Sequence, residues 1–313
     1  MSEVFWVDTT KPGFDNSVEQ KLRRLLEICS ATEGLEEGAR VSLKVNTSEE
    51  GYEYGLRPVF IRVAADVARE ATQRSPILCD GLKMVDYRRR TKGHAFMDVA
   101  RGKGYTSDSL GGNFVINGGY SGDEGNSYPC RVPDSQLGGV EVGTAVCRTD
   151  ILWVLSHVTL NPLFGLGGAL FNGGFECLAG RERERVLGGL DLYLFNGARP
   201  PTEQLAGFRA RALEGAAGVV EAMEGRVLYL NYLWDVTPHP EYFPFSGEPV
   251  APNQGFLASR DPVSLDAATL DLLTVDAKLS APLAACAQEF SATLALAEDM
   301  GLGARSYDLK RMS

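Results

Sequence analysis

The segment Ile151-Leu152-Trp153-Val154-Leu155 is apolar at every position. A half-buried strand alternates apolar and polar side chains; a strand covered on both faces does not, and such strands belong mostly to parallel sheets sandwiched between helices. Matching parts recur along the chain. Val41 to Val45 is a second apolar run, followed by an acidic, glycine-flanked loop (Thr47 to Gly55) and a helical stretch from Pro58 to about Gln73. Pro58 suits a first helical turn, and Val59, Val63, Val67 and Thr72 follow at three-to-four spacing. Pro76 to Asp80 reads as a buried strand, then come a basic loop (Tyr87 to Lys92) and a helix from about His94 to Arg101.

Phe114 to Gly119 is another strand, Ser121 to Gly139 is turn-rich, and Val140 to Val146 alternates as an exposed strand would. The glycine-rich turn Gly165 to Gly168 opens a helix expected to reach Cys177, and Arg181 to Arg185 reads as a solvated helical face. Thr202 to Glu224 is amphipathic and ends at Gly225. Arg226 to Leu230 and Gly255 to Ala258 are strands, and Asp261-Pro262 caps a helix running to Val275. Between those last strands lies a proline- and aromatic-rich loop, Asp235 to Gln254, long enough to cap a site. The expected fold is α/β: a mixed, mostly parallel sheet flanked by helices, with a smaller inserted or accessory subdomain. It is one unit over 1–313, divisible into an N-terminal α/β lobe (1–150) and a C-terminal α/β lobe (151–313).

A chain of 313 residues buries a substantial core without disulfides or metal. Its net charge of −10 repels a phosphate backbone, so nucleic acid is not an expected partner. No stretch approaches the roughly eighteen apolar residues of a membrane span, and the first residues do not resemble an export signal. The six cysteines are widely spaced, with no CxxC pair, as expected of reduced thiols in a cytoplasmic protein with no metal site. A homodimer is the common assembly for such folds.

Three segments together resemble an uncharacterised family of iron–sulfur-centre proteins, domain of unknown function 362. They are Leu43-Lys44-Val45-Asn46-Thr47 with Leu56-Arg57-Pro58; Leu155-Ser156-His157 with Gly165 to Gly174; and Leu230 to Pro238 with Gly255 to Ser259 and Asp261 to Asp266. The resemblance implies a cysteine cluster after the glycine-rich helix and a Cys-Asp-Cys in the late loop. This chain has neither, reading Gly197 to Gln204 and His239-Pro240-Glu241-Tyr242 there. After Ser156-His157 it also lacks the family's lysine and second histidine, and Phe171 stands where a lysine is usual. An iron–sulfur cluster is therefore expected to be absent. A weaker similarity of the His-then-Gly-Gly segment to nickel-pincer lactate racemases matches at too few positions to imply that cofactor.

Ligands of doubly wound sheets bind beyond the carboxyl ends of the strands, where Lys44, Asn46, Asp80, Ser156, His157 and the Gly165 to Gly168 turn are expected to gather. Lys44 in an apolar strand needs a carboxylate: either a ligand's or that of a neighbour such as Asp80. His157 suits general acid/base work, and the amides of the glycine turn suit an oxyanion. Gly167, Gly168, Asn172, Trp234, Tyr242, Phe243 and Asp266 complete the expected substrate-binding set around His157 and Lys44. The leading expectation is a cluster-free enzyme performing isomerisation, cyclisation, dehydration or epimerisation on a small organic substrate that carries a carbonyl or carboxylate. The alternatives are an oxidoreductase with a bound organic cofactor and a non-catalytic binding protein descended from an iron–sulfur protein.

Overall fold

The computed structural model describes residues 1–82, 92–196, 198–275 and 280–312; of the basic loop Tyr87 to Lys92, only Lys92 lies among them. The strands are β1 (Ser2–Val7), β2 (Val41–Lys44), β3 (Ile77–Gly81), β4 (Asn113–Asn117), β5 (Gly125–Pro129), β6 (Gly139–Gly143), β7 (Ile151–His157), β8 (Leu160–Asn161), β9 (Gly165–Leu166), β10 (Val227–Leu233), β11 (Gly255–Ser259) and β12 (Tyr307–Met312). The helices are α1 (Val18–Ile28), α2 (Pro58–Thr72), α3 (Gly93–Gly102), α4 (Ser107–Leu110), α5 (Thr144–Cys147), α6 (Ala169–Gly173), α7 (Gly180–Leu187), α8 (Asp191–Asn196), α9 (Thr202–Ala222), α10 (Pro262–Thr274) and α11 (Ala281–Asp299).

Eight strands form one sheet in the order β12-β1-β11-β10-β7-β2-β3-β4. β4, β3, β2, β7 and β10 run parallel; β11 is antiparallel to both its neighbours, and β12 is parallel to β1. The α/β class, the mostly parallel mixed sheet and its helical cover are as the apolar runs predict. Every residue of β7 and of β10 is buried, so both of their faces carry core. One face, with Leu43, Trp153 and Leu230, packs on α1 and α2; the other, with Val154 and Tyr229, packs on α6, α9 and α10. The middle of the chain adds the small antiparallel pair β5-β6 against α9, and β8-β9 forms a second small pair.

Three local expectations differ from the structure. Val140 to Val146 is not an exposed strand: β6 ends at Gly143, α5 follows, and Val140, Val142 and Val146 are buried. The glycine turn does not open one continuous helix. Gly173 and Gly174 end α6 after five residues, and a 3-10 turn, Phe175–Cys177, carries the chain on. A Cβ on Gly174 would stand 2.7 Å from the Ala216 Cβ, so glycine lets α9 approach here. The run Arg181 to Arg185 is not wholly solvated either, because Glu182 and Arg183 turn inward and Arg183 is 1 % exposed. Among the described residues no helix is long and apolar enough to cross a membrane.

Candidate active site at the carboxyl end of the sheet

Lys44 ends β2 with its ammonium fully buried. Nζ donates to the Val45 carbonyl (2.9 Å) and Asn46 Oδ1 (2.8 Å), and stands 3.1 Å from Asp80 Oδ1. Burial opposes the charge, but Asp80 and Glu176 outweigh it and hold the Lys44 pKa above its ordinary value. Asp80 also accepts from the Thr47 amide and hydroxyl and from the Gly81 amide. Its partner set fits a carboxylate rather than a neutral acid. Asn46 passes the chain on, donating to Asn172 Oδ1 at 2.8 Å, and Asn172 donates to the Gly167 carbonyl at 3.2 Å. Of the two readings of Lys44, the geometry realises the internal ion pair, with all three of its N–H bonds directed at protein oxygens.

The amides of the glycine turn are likewise taken internally. Asp266, on α10, accepts from the Ala169 amide at 2.7 Å, the Leu170 amide at 2.9 Å and Asn231 Nδ2 at 2.8 Å. Gly168 makes room for it, since a Cβ there would lie 2.2 Å from Asp266 Oδ1. The carboxylate sits where an oxyanion was expected. Ser156, beside Asn231 in the β7–β10 register, is buried, and among the described residues neither its hydroxyl nor Asn231 Oδ1 has a partner.

Burial raises the Asp266 pKa from 3.8 to about 6, against the pull of its three donors. A raised carboxyl pKa means that the folded state holds the proton longer than the unfolded chain. Asp266 therefore favours folding most below pH 4, loses that contribution as pH climbs towards 6, and is flat above. Denaturant titrations of wild type and Asp266→Asn from pH 4 to 7 are expected to show wild type losing about 3 kcal/mol relative to the variant. A pH-independent difference would refute this assignment.

His157 ends β7 on the other face. In the parallel register Lys44 pairs with Val154, and the alternation of side chains along β7 puts Val154 and Ser156 on one face and His157 on the opposite one. Nε2 lies 2.9 Å from the Trp234 carbonyl and 3.2 Å from that of Asp235. Carbonyls only accept, so Nε2 carries a hydrogen. Nδ1 lies 3.0 Å from Glu241 Oε1, and one proton is shared across that contact. Asp235 adopts a left-handed backbone (φ 52) that lets consecutive carbonyls converge on the ring; it is held by Asn253 and by an ion pair with Arg57.

The aromatic loop packs as its composition suggests. Trp234 donates to Thr9 and lies under the Arg57 guanidinium; Tyr242 and Phe243 form a small buried cluster with Leu194. Tyr52 anchors the loop through the Thr237 hydroxyl (2.5 Å) and the His239 carbonyl (2.9 Å). Segments 198–204 and 238–242, far apart in sequence, meet through Ala198 to Pro200 and Pro238-His239, which share the wall of a cavity of about 340 Å³ with Leu160 and Asn161. Glu241, Arg183, Glu176 and Asn231 belong to this end of the sheet and were not singled out from the sequence. Asn231 and Glu241 carried a legible signal: a polar residue inside an apolar strand, and an acid among aromatics.

A cluster needs thiolates converging on it. Neither segment carries a cysteine, and burial pushes the Cys79 thiol up to about 11 and Cys177 higher still. Among the described residues no group of three or more His, Cys, Asp or Glu side chains could hold a metal ion. The residues do not fit a cluster.

No curated protein matches the chain. Two solved structures are similar in part. The lactate racemase apoprotein from Thermoanaerobacterium thermosaccharolyticum is 11% identical with a TM-score of 0.47, over 74% of this chain and 50% of that one. A Thermotoga maritima protein is 10% identical with a TM-score of 0.44, over 93% and 61%. The chain thus spans about half the length of the racemase. The model of the family described as domain of unknown function (DUF362) matches residues 41–271, most of the chain and all three of the segments compared above, and the chain belongs to that family.

Proposed function

We propose that this chain is a cluster-free acid/base enzyme that moves a proton on a small substrate bearing a carboxylate or carbonyl, in an isomerisation, cyclisation, dehydration or epimerisation. The observation that carries this reading is the His157–Glu241 pair. It is buried at the carboxyl end of a central parallel strand, with Nε2–H fixed by two carbonyls. The proton between Nδ1 and Glu241 is then the one free to move, as in carboxylate-oriented imidazole bases. Both carbonyls and Glu241 belong to residues 234–241, so one displacement of that segment frees both ring nitrogens. The cavity lies close by in the chain: Leu160 to Leu163 follow His157, and Pro238-His239 precede Glu241.

The test is solvent exchange. In D2O, wild type is expected to replace a carbon-bound hydrogen next to the carboxyl in at least one member of a panel of short 2-hydroxy, 2-oxo and unsaturated acids. Proton NMR follows the signal, and His157→Gln is expected to slow the loss by about 100-fold or more. Equal rates in the two proteins would end the assignment of His157, and no exchange across the panel would end the reading. A binding protein is the second reading. It is favoured by the internal saturation of Lys44 and of the Ala169 and Leu170 amides, and under it His157→Gln changes stability alone.

A further inference from the structure

The 340 Å³ cavity holds chemistry that the buried network does not use. Its wall is mostly apolar, with Leu160, Leu163, Pro162, Pro200 and Pro282 prominent, and its volume suits a small organic ligand. Asn161, Arg199, His239 and Glu289 bring polar side chains to it. Arg199 is largely exposed, and among the described residues Glu289 engages its Nη2 alone. Glu289 is shared: Arg209 Nη2 approaches its other oxygen at 2.8 Å, while Arg209 Nε donates to the Leu163 carbonyl. Burial raises the Glu289 carboxyl pKa, but the hydrogen bond from Arg209 and the charge of Arg199 bring it below its ordinary value. Arg199 and Glu289 are on the cavity wall and Arg209 is not, so the second guanidinium is what offsets the Glu289 charge and leaves Arg199 available to an anion.

The second observation is Asn161. Its Oδ1 accepts from the Leu163 and Phe164 amides at 3.0 Å each, fixing the turn after β8, while its Nδ2 is buried and has no partner among the described residues. A buried amide donor left unpaired forfeits the hydrogen bond it makes to water in the unfolded chain, and an acceptor settling against it restores one. His239 closes the opposite wall, edge-on to Phe243 and Phe245.

We infer that this cavity is the binding site for a small monocarboxylate with an apolar body, its carboxylate held by Arg199 and by the Asn161 amide and its body lying against the prolines and leucines. As a binding site it is independent of the acid/base reading; as a substrate site it rests on that reading. A planar guanidinium grips a carboxylate through paired N–H bonds, and an uncharged isostere forfeits them.

Phenylacetate and phenylacetamide, titrated into the full chain and followed by calorimetry, test this. Phenylacetate is expected to saturate wild type and to bind at least about tenfold more tightly than the amide. Arg199→Gln is expected to abolish that preference. Asn161→Asp keeps the acceptor that fixes the turn but replaces the donor with a negative oxygen, and is expected to weaken phenylacetate by about tenfold or more. Unfolding midpoints measured alongside show that the variants are folded. Absence of saturable binding to wild type, equal affinity for acid and amide, or wild-type affinity in folded Arg199→Gln would overturn the inference, whatever the outcome in D2O.

Discussion

Lys44→Met is expected to destabilise the protein by about 3–5 kcal/mol, because it removes the ammonium that the buried Asp80 carboxylate meets at 3.1 Å. Asp80 keeps the Thr47 and Gly81 donors but loses the ammonium 3.1 Å away, and Asn46 Oδ1 loses its donor as well. Methionine fills the same volume, so the loss reports charge rather than a hole. Removing both charges together, in Lys44→Met with Asp80→Asn, is expected to destabilise by less than the two single changes combined, since each single change already forfeits their mutual attraction. Equilibrium denaturation of the four proteins measures the coupling. A single-variant effect below about 1 kcal/mol would mean that the pair is not the buried bridge described.

Gly168→Ala is expected to cost a similar amount, about 3–5 kcal/mol, by a different route. The new methyl would lie 2.2 Å from Asp266 Oδ1 and 2.8 Å from its Cγ, so the carboxylate must leave. Its departure strands the Ala169 and Leu170 amides inside the protein, at roughly 1–3 kcal/mol each. Gly102→Ala is the control, because a Cβ there meets nothing within 4 Å and the position lies in a helix. Alanine is favoured over glycine in that setting, so this variant is expected to be as stable as wild type or slightly more so. Comparable losses in both variants would remove the close packing of Gly168 on Asp266 from the account.

Much of the fold was legible because apolar runs specify doubly covered strands. Ile151 to Leu155 predicts β7, Val41 to Val45 predicts β2, and Asp261-Pro262 predicts the start of α10. The outer elements carried weaker signals. β12 is an edge strand of mixed charged and apolar residues, and α11 is alanine-rich with little periodicity. α1 was not predicted, although Ser17 and Gln20 stand at capping-box spacing at its start. Arg183 was misread because a charged run on a short helix looks solvated until its neighbours are known.

The candidate site was legible as a set of residue types more than as a geometry. Polar side chains in apolar strands pointed to Lys44, and a strand-end histidine pointed to His157. Period-two alternation then separates Lys44 and His157 onto opposite faces. What the sequence could not supply was which anion meets the glycine turn and which acid meets the imidazole. Asp266 lies about a hundred residues beyond that turn and Glu241 lies 84 beyond His157, distances over which only the folded chain decides the partner.

The central claim is that the chemistry here is carried by the chain's own side chains in a family whose resemblance implies an iron–sulfur centre. The most direct measurement is the absorption spectrum and iron content of the full chain purified without oxygen. The account predicts a colourless protein with no stoichiometric iron, because among the described residues no three His, Cys, Asp or Glu side chains are placed to hold a metal ion. A visible chromophore with stoichiometric iron would contradict it and return redox chemistry to the front.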